Sequence, residues 1–313
     1  MFIFGPVPSR RLGRSIGINN IPPKICTYSC IYCQVGRSTK MFSDRKDFKN
    51  TDAIIKELYT KLEKLDKKNE KIDYLTLVSD GEPTLDKNLC KLIKELKKTG
   101  IKTALISNST LLTRKDVIED ILLVDWLSLK VDTINEKLWT KIDRPLKTLI
   151  LEDILDSVKD ISNLHNGITV SETMLVKDLN DRSSDLKDTA DFLSECDFET
   201  SYISVPTRPP AEKWCLPPEE SNINMAYQIF KNHLENVELN ISYEGNDFSS
   251  TGDVEKDLLS ITKVHPMKEE AIMEYLRKNN MTEKNLERII KTGLLKKTCF
   301  NNENFYIFSN KKL

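Results

Sequence analysis

KICTYSCIYCQVG, at residues 24–36, places Cys26, Cys30 and Cys33 at C-x3-C-x2-C spacing. Thiolates are the ligands that hold iron–sulfur clusters, and a run this short lets one loop supply all three to one metal centre. A four-iron cluster has four corners, so three cysteines leave one iron open to a ligand that is not protein. The stretch therefore predicts an iron–sulfur site with an open coordination position.

Two other uses of cysteine fit this sequence less well. Zinc sites usually need four ligands in paired spacing, and neither a second pair nor a histidine accompanies the run. Disulfide frameworks belong to short secreted chains, whereas this chain has 313 residues and an odd number of cysteines, seven. The remaining four are predicted to be small buried side chains rather than ligands of a second cluster: Cys90, Cys196, Cys215 and Cys299.

The composition is that of a globular protein, with 39% hydrophobic and 30% charged residues. No run approaches the roughly 18 apolar residues of a membrane span. The first residues, MFIFGPVPSRR, are too short and proline-broken for the apolar core of a signal peptide. Together these features predict a cytoplasmic protein without a membrane partner. The net charge of −1 gives no overall attraction to nucleic acid, but it is compatible with local basic patches that bind nucleic acid.

Apolar strands alternate with amphipathic helices through most of the chain, which predicts βαβ units and a parallel sheet. Five or six such units follow the first short strand, too few for a closed eight-stranded barrel. Functional sites in such folds lie at the carboxyl ends of the strands. The predicted helices span residues 52–66, 89–99, 114–122, 149–164, 185–196 and 219–233, and the predicted strands span 15–18, 72–78, 101–107, 126–132, 167–176, 201–206 and 237–245.

Polar residues follow or line three of these strands. The strand at 72–78 runs directly into SDGEP at residues 79–83, where glycine lets the backbone turn and expose strand-end carbonyls to a ligand. Asn108 follows the next strand. On the strand after that, Ser128, Lys130 and Asp132 share one face, which indicates a barrel lumen lined for chemistry. The alternative is an edge strand that faces water.

Arginines at two places are candidates for binding an anionic substrate group. Arg10, Arg11 and Arg14 precede the cysteine stretch, and Arg208 follows a predicted strand. Guanidinium groups bind phosphate and carboxylate in a bidentate manner. The alternatives are a solvated turn for the first three and a salt-bridged loop residue for Arg208. We treat Arg10, Arg11, Lys130 and Arg208 as candidate catalytic residues.

The character of the chain changes at about residue 253, after a polar segment at 246–252. Helices at 266–279 and 282–292 and a hairpin around residues 301–304 together resemble a winged-helix module. Lys284, Arg288 and Lys291 lie on the second helix and could contact nucleic acid, although many such modules bind protein or only pack. We therefore predict domains at 1–252 and 253–313, and expect the first to fold and hold its cluster alone.

Four stretches resemble the radical S-adenosylmethionine (SAM) superfamily, and in particular its branch that includes the archaeal wybutosine-synthesis enzymes, which modify tRNA. They are GPVPSRRLGRSIGI, CTYSCIYC, SDGEPTL and PTRPP, within residues 5–244. The resemblance implies an open (β/α)6 partial barrel and a [4Fe–4S] cluster on Cys26, Cys30 and Cys33. SAM would chelate the open iron, with Tyr32 near its adenine. The GGEP-like motif contributes Asp80, Gly81 and Glu82 near its amino group, and Asp80 replaces the usual first glycine.

The resemblance also implies reductive cleavage of SAM to methionine and a 5′-deoxyadenosyl radical that abstracts a substrate hydrogen. A flavodoxin or ferredoxin type of donor would supply the electron. We add Asn108, Ser128, Lys130 and Asp132 to the candidate cofactor contacts. The wybutosine enzymes hold a second cluster on upstream cysteines, and residues 1–25 contain none. Three functions therefore stay open: a nucleic-acid-modifying enzyme, an enzyme that modifies protein or a small molecule, and a DNA-binding iron–sulfur regulator.

Overall fold

An eight-stranded sheet is the frame of the computed structural model, which describes residues 2–48, 50–242, 245–250 and 252–309. Its order is β1-β2-β5-β6-β7-β8-β9-β10; β1 is antiparallel to β2 and the other neighbours are parallel. The first ten strands are β1 (Ile3–Ser9), β2 (Gly13–Ile18), β3 (Ile25–Cys26), β4 (Lys40–Met41), β5 (Tyr74–Leu77), β6 (Lys102–Ser107), β7 (Trp126–Lys130), β8 (Ile168–Met174), β9 (Thr200–Ser204) and β10 (Val237–Asn240).

Helices connect the parallel strands. Six connections join β2 to β10, so the predicted partial (β/α)6 barrel is confirmed as a curled, mostly parallel half-barrel. The seven helices of these connections are α1 (Thr51–Asp66), α2 (Leu89–Lys97), α3 (Lys115–Ile121), α4 (Glu136–Ile142), α5 (Leu151–Leu164), α6 (Ser183–Ser194) and α7 (Glu220–His233). Their apolar stripes form one core with the outward-facing strand residues, for example Leu58 and Leu92 with Leu75 and Leu127.

The inward face of the sheet changes character along the strands. At the amino-terminal side, Trp126, Ala104, Val170 and Leu12 form a separate buried apolar cluster. At the carboxyl end of the same central strand, Lys130 lies on the same face as Trp126, four residues earlier. Apolar packing thus closes the amino-terminal end of the lumen, whereas the carboxyl-terminal end is lined by polar residues. Because β7 is a central strand, the alternative of a water-facing edge strand is wrong.

The C-terminal residues form a second, smaller apolar core. The elements are α8 (Val254–Val264), β11 (Met267–Lys268), α9 (Glu269–Lys278), α10 (Glu283–Lys291), β12 (Leu295–Phe300) and β13 (Glu303–Phe308), and the three strands form a sheet in the order β11-β13-β12. Leu258, Ile272 and Tyr275 are among the buried residues of this core. No helix in the described part of the chain is long and apolar enough to cross a membrane.

Within the polar segment at 246–252, Phe248 packs against the C-terminal elements. Phe248 is 1% exposed and contacts the His265 ring edge-on at 5.4 Å between centroids. Beyond it, Lys61 of α1 and Asp257 of α8 form a buried ion pair, with Nζ 3.4 Å from Oδ1. Truncation after residue 252 would remove Asp257 together with α8, which packs on β1. That residues 1–252 fold on their own stays a prediction, and these are the contacts that the fragment would lose.

Three of the longer elements are not predicted by the sequence patterns: β1, α4 and α8. The predicted strand at 237–245 ends at Asn240, and residues 243–244 lie outside the described residues. The remaining predicted elements agree with the structure to within about three residues at most ends, the usual uncertainty of helix and strand boundaries.

Candidate active site

A cavity of about 320 Å³ opens at the carboxyl ends of the parallel strands. All three cysteines of the 24–36 stretch line it. Twelve residues selected from the sequence share this wall: Arg10, Arg11, Cys26, Cys30, Tyr32, Cys33, Asp80, Gly81, Glu82, Asn108, Lys130 and Arg208. Ser128 and Asp132 lie outside it, since both are buried deeper in the barrel, at 1% and 5% exposure.

Backbone hydrogen bonds hold the cysteine loop from two sides. On one side the Glu82 amide donates to the Ile25 carbonyl at 3.1 Å, which ties the loop to the SDGEP turn. On the other side the Ile31 amide donates to the Ile142 carbonyl at 2.9 Å. The loop is therefore fixed between the end of β5 and the end of α4, with its thiols toward the cavity.

The three thiols are in an environment that does not favour free thiolates. Burial, reinforced by the negative charge of Glu82, raises the pKa of Cys26 to about 12. Burial also raises the pKa of Cys30 and of Cys33. Metal ligation requires deprotonated sulfur, so a bound metal must supply the positive charge that displaces these protons. The Asn108 Nδ2 lies 3.4 Å from the Cys26 Sγ, as a donor suited to a sulfur that carries negative charge.

The arrangement of the thiols bears on which metal centre they suit. Among the described residues, no three His, Cys, Asp or Glu side chains converge as one ion requires. A zinc ion takes its ligands at about 2.0–2.3 Å from one point. A multi-iron cluster instead carries each thiolate on a separate iron. The donor set and its spacing thus fit an iron–sulfur cluster and argue against the zinc alternative.

Asp80 is a buried acid directed at the cavity. Its side chain is 1% exposed, and neither carboxylate oxygen accepts a hydrogen bond from the described residues. Burial raises its pKa, while Lys263, with Nζ 3.7 Å from Oδ2, opposes that effect. A buried carboxylate without hydrogen bonds costs free energy unless a ligand or cation compensates it. Asp80 is therefore a site for a ligand group that donates hydrogen bonds.

Glu82 and Asn108 form hydrogen bonds within the cavity wall. Glu82 is 1% exposed and accepts hydrogen bonds from the Ser107 hydroxyl at 2.9 Å and the Asn108 amide at 2.8 Å. The Asn108 side chain donates to the Thr27 hydroxyl at 2.8 Å, next to Cys26. These bonds join the SDGEP turn, the end of β6 and the cysteine loop into one unit.

A charged network crosses the lumen above Trp126. The Arg11 Nη1 donates to the Glu172 Oε2 at 2.6 Å, and the Lys130 Nζ lies 3.5 Å from the other Glu172 oxygen. Burial alone would raise the pKa of Glu172, but Lys130 and Arg11 outweigh it and lower that pKa to about 2. Burial opposes the charge on Lys130, yet Asp132 and Glu172 prevail and raise its pKa. Glu172 and Lys130 are therefore both charged at neutral pH.

Tyr32 lines the cavity with its ring, and its hydroxyl is held by two acids. The hydroxyl donates to Asp132, and its oxygen lies 2.9 Å from the Asp143 Oδ1. Burial, with the negative charge of Asp132 next, raises the pKa of Asp143. Asp132 also accepts the Met174 amide at 2.7 Å, so it positions other groups rather than facing the cavity.

The structure separates the arginines that the sequence places together. Arg10 and Arg11 line the cavity, whereas Arg14 forms ion pairs with Glu70 and Asp247 near the 246–252 segment. The three therefore do not form one anion site. Arg208 also lines the cavity, where its Nη1 donates to the Gln34 Oε1 at 3.0 Å.

Sequence reasoning missed three residues of this site. Glu172 lies within the strand β8, and an acidic residue inside an otherwise uncharged strand is the one signal for it in the sequence. Asp143 and Lys263 follow or lie on helices that were not expected, α4 and α8. Of the cysteines predicted to be buried, Cys215 is buried and Cys299 is exposed. That interpretation of Cys299 is wrong because it lies on the outer face of a hairpin strand.

A comparison with protein-family models agrees with this geometry. The model described as the radical SAM superfamily matches residues 20–193, more than half of the chain. The chain belongs to the radical SAM superfamily. Enzymes of this superfamily use a [4Fe–4S] cluster and SAM, and they need an electron donor. The sequence-based expectation of both cofactors is therefore confirmed at the level of the superfamily.

One sequence relative and two solved structures are among the proteins similar to this chain. A UPF0026 protein of Methanocaldococcus jannaschii is 42% identical over 97% of this chain and 95% of its own length. The Streptococcus suis enzyme SuiB bound to S-adenosylmethionine superposes with a TM-score of 0.52 at 13% identity, over 70% of this chain and 48% of that chain. The wybutosine-synthesis enzyme TYW1 with a lysine-pyruvate adduct aligns over 96% of this chain and 82% of that chain, with a TM-score of 0.44 and 16% identity.

Proposed function

We propose that Cys26, Cys30 and Cys33 hold the [4Fe–4S] cluster and that Asp80 receives the amino group of SAM. When both cofactors are bound, an electron from the cluster cleaves SAM to methionine and a 5′-deoxyadenosyl radical that takes a hydrogen atom from the substrate. The observation that supports this proposal is one cavity lined both by three half-buried cysteines and by a buried acid that accepts no hydrogen bond from the described residues.

The other cavity residues have roles that follow from their contacts. Glu82 and Asn108 keep the SDGEP turn against the cysteine loop, and Tyr32 offers its ring as an apolar wall for the adenine. Arg11, Lys130 and Glu172 form a rigid charged floor, which we propose contacts the substrate. A floor whose charges are already paired can orient polar groups without moving, which is what positioning of a reactive species requires.

For the substrate we propose a nucleic acid, with RNA modification as the reaction class. The support is the order of elements after residue 253: helix α8, strand β11, helices α9 and α10, and then the hairpin β12–β13. The second hairpin strand, β13, pairs with both β11 and β12. This order of elements supports the winged helix that we propose, in which α10 would take the place of the recognition helix. On α10, Lys284 and Lys291 are exposed, whereas Arg288 forms an ion pair with Glu255.

The proposed nucleic-acid contact predicts a change in the salt dependence of binding. Replacing Lys284 and Lys291 together by alanine should lower the slope of log K against log salt by about one unit for each lost phosphate contact. Binding of a fluorescent tRNA transcript, followed by anisotropy over a salt series, measures this slope. A double variant of exposed lysines on barrel helices, Lys64→Ala/Lys187→Ala, is the matched control.

An unchanged slope in the α10 variant would contradict the nucleic-acid proposal. It would favour an enzyme that acts on a protein or a small molecule. The observation on that side is that two basic side chains of the module are already paired with acids of the same module, Arg288 with Glu255 and Lys297 with Glu269.

We further propose that the electron donor is a flavodoxin or ferredoxin. A regulator without chemistry would bind DNA in a cluster-dependent way and leave SAM intact.

A further inference from the structure

The carboxyl end of α8 is hydrogen-bonded to two residues that line the cavity, Gln34 and Arg208. The Gln34 Nε2, one residue after Cys33, donates to the Val264 carbonyl at 2.9 Å. The Arg208 Nη2 lies 2.8 Å from the His265 Nε2. Arg208 also donates to Gln34, so the cysteine loop, the loop after β9 and the end of α8 form one hydrogen-bonded group. The C-terminal region is thus bonded directly to two residues that line the cavity.

This anchoring brings Lys263 to Asp80. The Lys263 Nζ is 3.7 Å from the Asp80 Oδ2, beyond hydrogen-bond distance. The lysine side chain is 31% exposed and the aspartate side chain 1% exposed. An ammonium group has three donors and a carboxylate two acceptor oxygens, and here neither group uses the other as a hydrogen-bond partner. The two opposite charges therefore stand side by side with hydrogen-bonding capacity left on the acid.

We infer that Asp80 and Lys263 together bind the amino-acid end of SAM, with Asp80 accepting from its α-amino group and Lys263 donating to its α-carboxylate. This inference rests on the proposed binding of SAM in this cavity. An α-amino acid carries a donor group and an anionic group on the same carbon atom. A neighbouring acid and base of the protein match that pattern. The C-terminal region consequently completes the SAM site, and Lys263 is a SAM-binding residue outside the barrel.

Other cations near the cavity are less suited to this contact. Arg11 and Lys130 are engaged by Glu172 on the lumen floor. Arg208 is engaged with Gln34 and His265. Lys24 also approaches Asp80, but its effect on the pKa of that carboxylate is smaller than the effect of Lys263. Lys24 is therefore the rival that an experiment has to separate from Lys263.

The test compares two ligands that differ only in the carboxylate. Cluster-loaded, unreduced protein is titrated with SAM and with decarboxylated SAM, and both dissociation constants are measured by calorimetry. Lys263→Met should weaken SAM binding by about 10- to 100-fold, as expected for loss of a hydrogen bond to a charged group. The affinity for decarboxylated SAM should stay near that of wild type. Lys256→Met, at an exposed position of the same helix, should change neither constant.

Each other outcome overturns the inference. Unchanged SAM affinity in Lys263→Met, an equal loss for both ligands, or a carboxylate-selective loss in Lys24→Met instead would each remove Lys263 from this role. If Lys263→Met loses iron, the same comparison is made with Lys263→Gln, which keeps most of the side-chain length. Failure of the wild-type protein to bind either ligand would instead contradict the proposed function itself, so the two failures are distinguishable.

Discussion

Cys26→Ala, Cys30→Ala and Cys33→Ala are each expected to reduce cluster iron and sulfide to background after anaerobic reconstitution. Three thiolates on one short loop are the entire protein ligand set of the proposed cluster, so the loss of one leaves two irons without protein ligands. The loop itself should persist, because backbone hydrogen bonds to the end of β5 and the end of α4 hold it. Chemical iron and sulfide analysis of the purified variants measures the effect.

Cysteines outside the loop supply the matched controls. Cys196 follows α6, with its Sγ 3.6 Å from the Phe192 carbonyl, and Cys299 is exposed on β12. Alanine at either position should leave iron content at the wild-type level. A cysteine-loop variant that keeps its iron would refute the assigned ligands. A control variant that loses half of its iron would reveal a second cluster.

Gly81→Ala is the second substitution with a large expected effect, and it should remove the cluster together with the fold around it. A Cβ on Gly81 would collide with the Ile25 carbonyl oxygen and lie 2.7 Å from the carbonyl carbon. Both atoms belong to the backbone, so neither can rotate away, and Ile25 directly precedes Cys26. The sequence suggests that this glycine lets the backbone turn and expose strand-end carbonyls to a ligand. The structure shows that it lets the SDGEP turn touch the cysteine loop.

Gly100→Ala provides the control for Gly81→Ala. Gly100 has a φ of +74°, and no heavy atom lies within 4 Å of the position that a Cβ would take. Alanine at this position therefore has backbone strain but no steric clash. That strain costs about 1–2 kcal/mol and should leave iron content unchanged. Thermal unfolding and iron analysis of the two variants separate the effects. Wild-type iron in Gly81→Ala would contradict the close approach of the two backbones.

Strands and helices with a clear apolar pattern of their own can be predicted from the sequence alone. Apolar strands such as β5 and β6 are followed by polar turns and by helices with clear stripes, and these were predicted. β1 was missed because its prolines and glycine resemble turn residues. It is an antiparallel edge strand with a register irregularity between Phe4 and Val7, a setting that tolerates proline. α8 was missed because Ser260 and Thr262 are buried on it, which weakens its amphipathic pattern.

For the site, the sequence identified residues by motif but could not identify their partners. The C-x3-C-x2-C spacing selected the three thiols, and the SDGEP turn selected Asp80. Whether an arginine faces the lumen is a tertiary property, and the structure directs Arg11 to Glu172 and Arg14 to Glu70. The pairing of Asp80 with Lys263 joins two distant segments of the chain through the packing of α8 on β1. No spacing rule relates those segments.

Release of 5′-deoxyadenosine tests the central claim most directly. Cluster-loaded protein is mixed anaerobically with SAM and dithionite, and the nucleoside and methionine are quantified by chromatography against the Cys30→Ala variant. We expect equal amounts of both products from the wild-type protein, at a slow rate without substrate, and none from the variant. Intact SAM after prolonged incubation with reduced, fully loaded protein that binds SAM would contradict the assignment of radical SAM chemistry to this cavity.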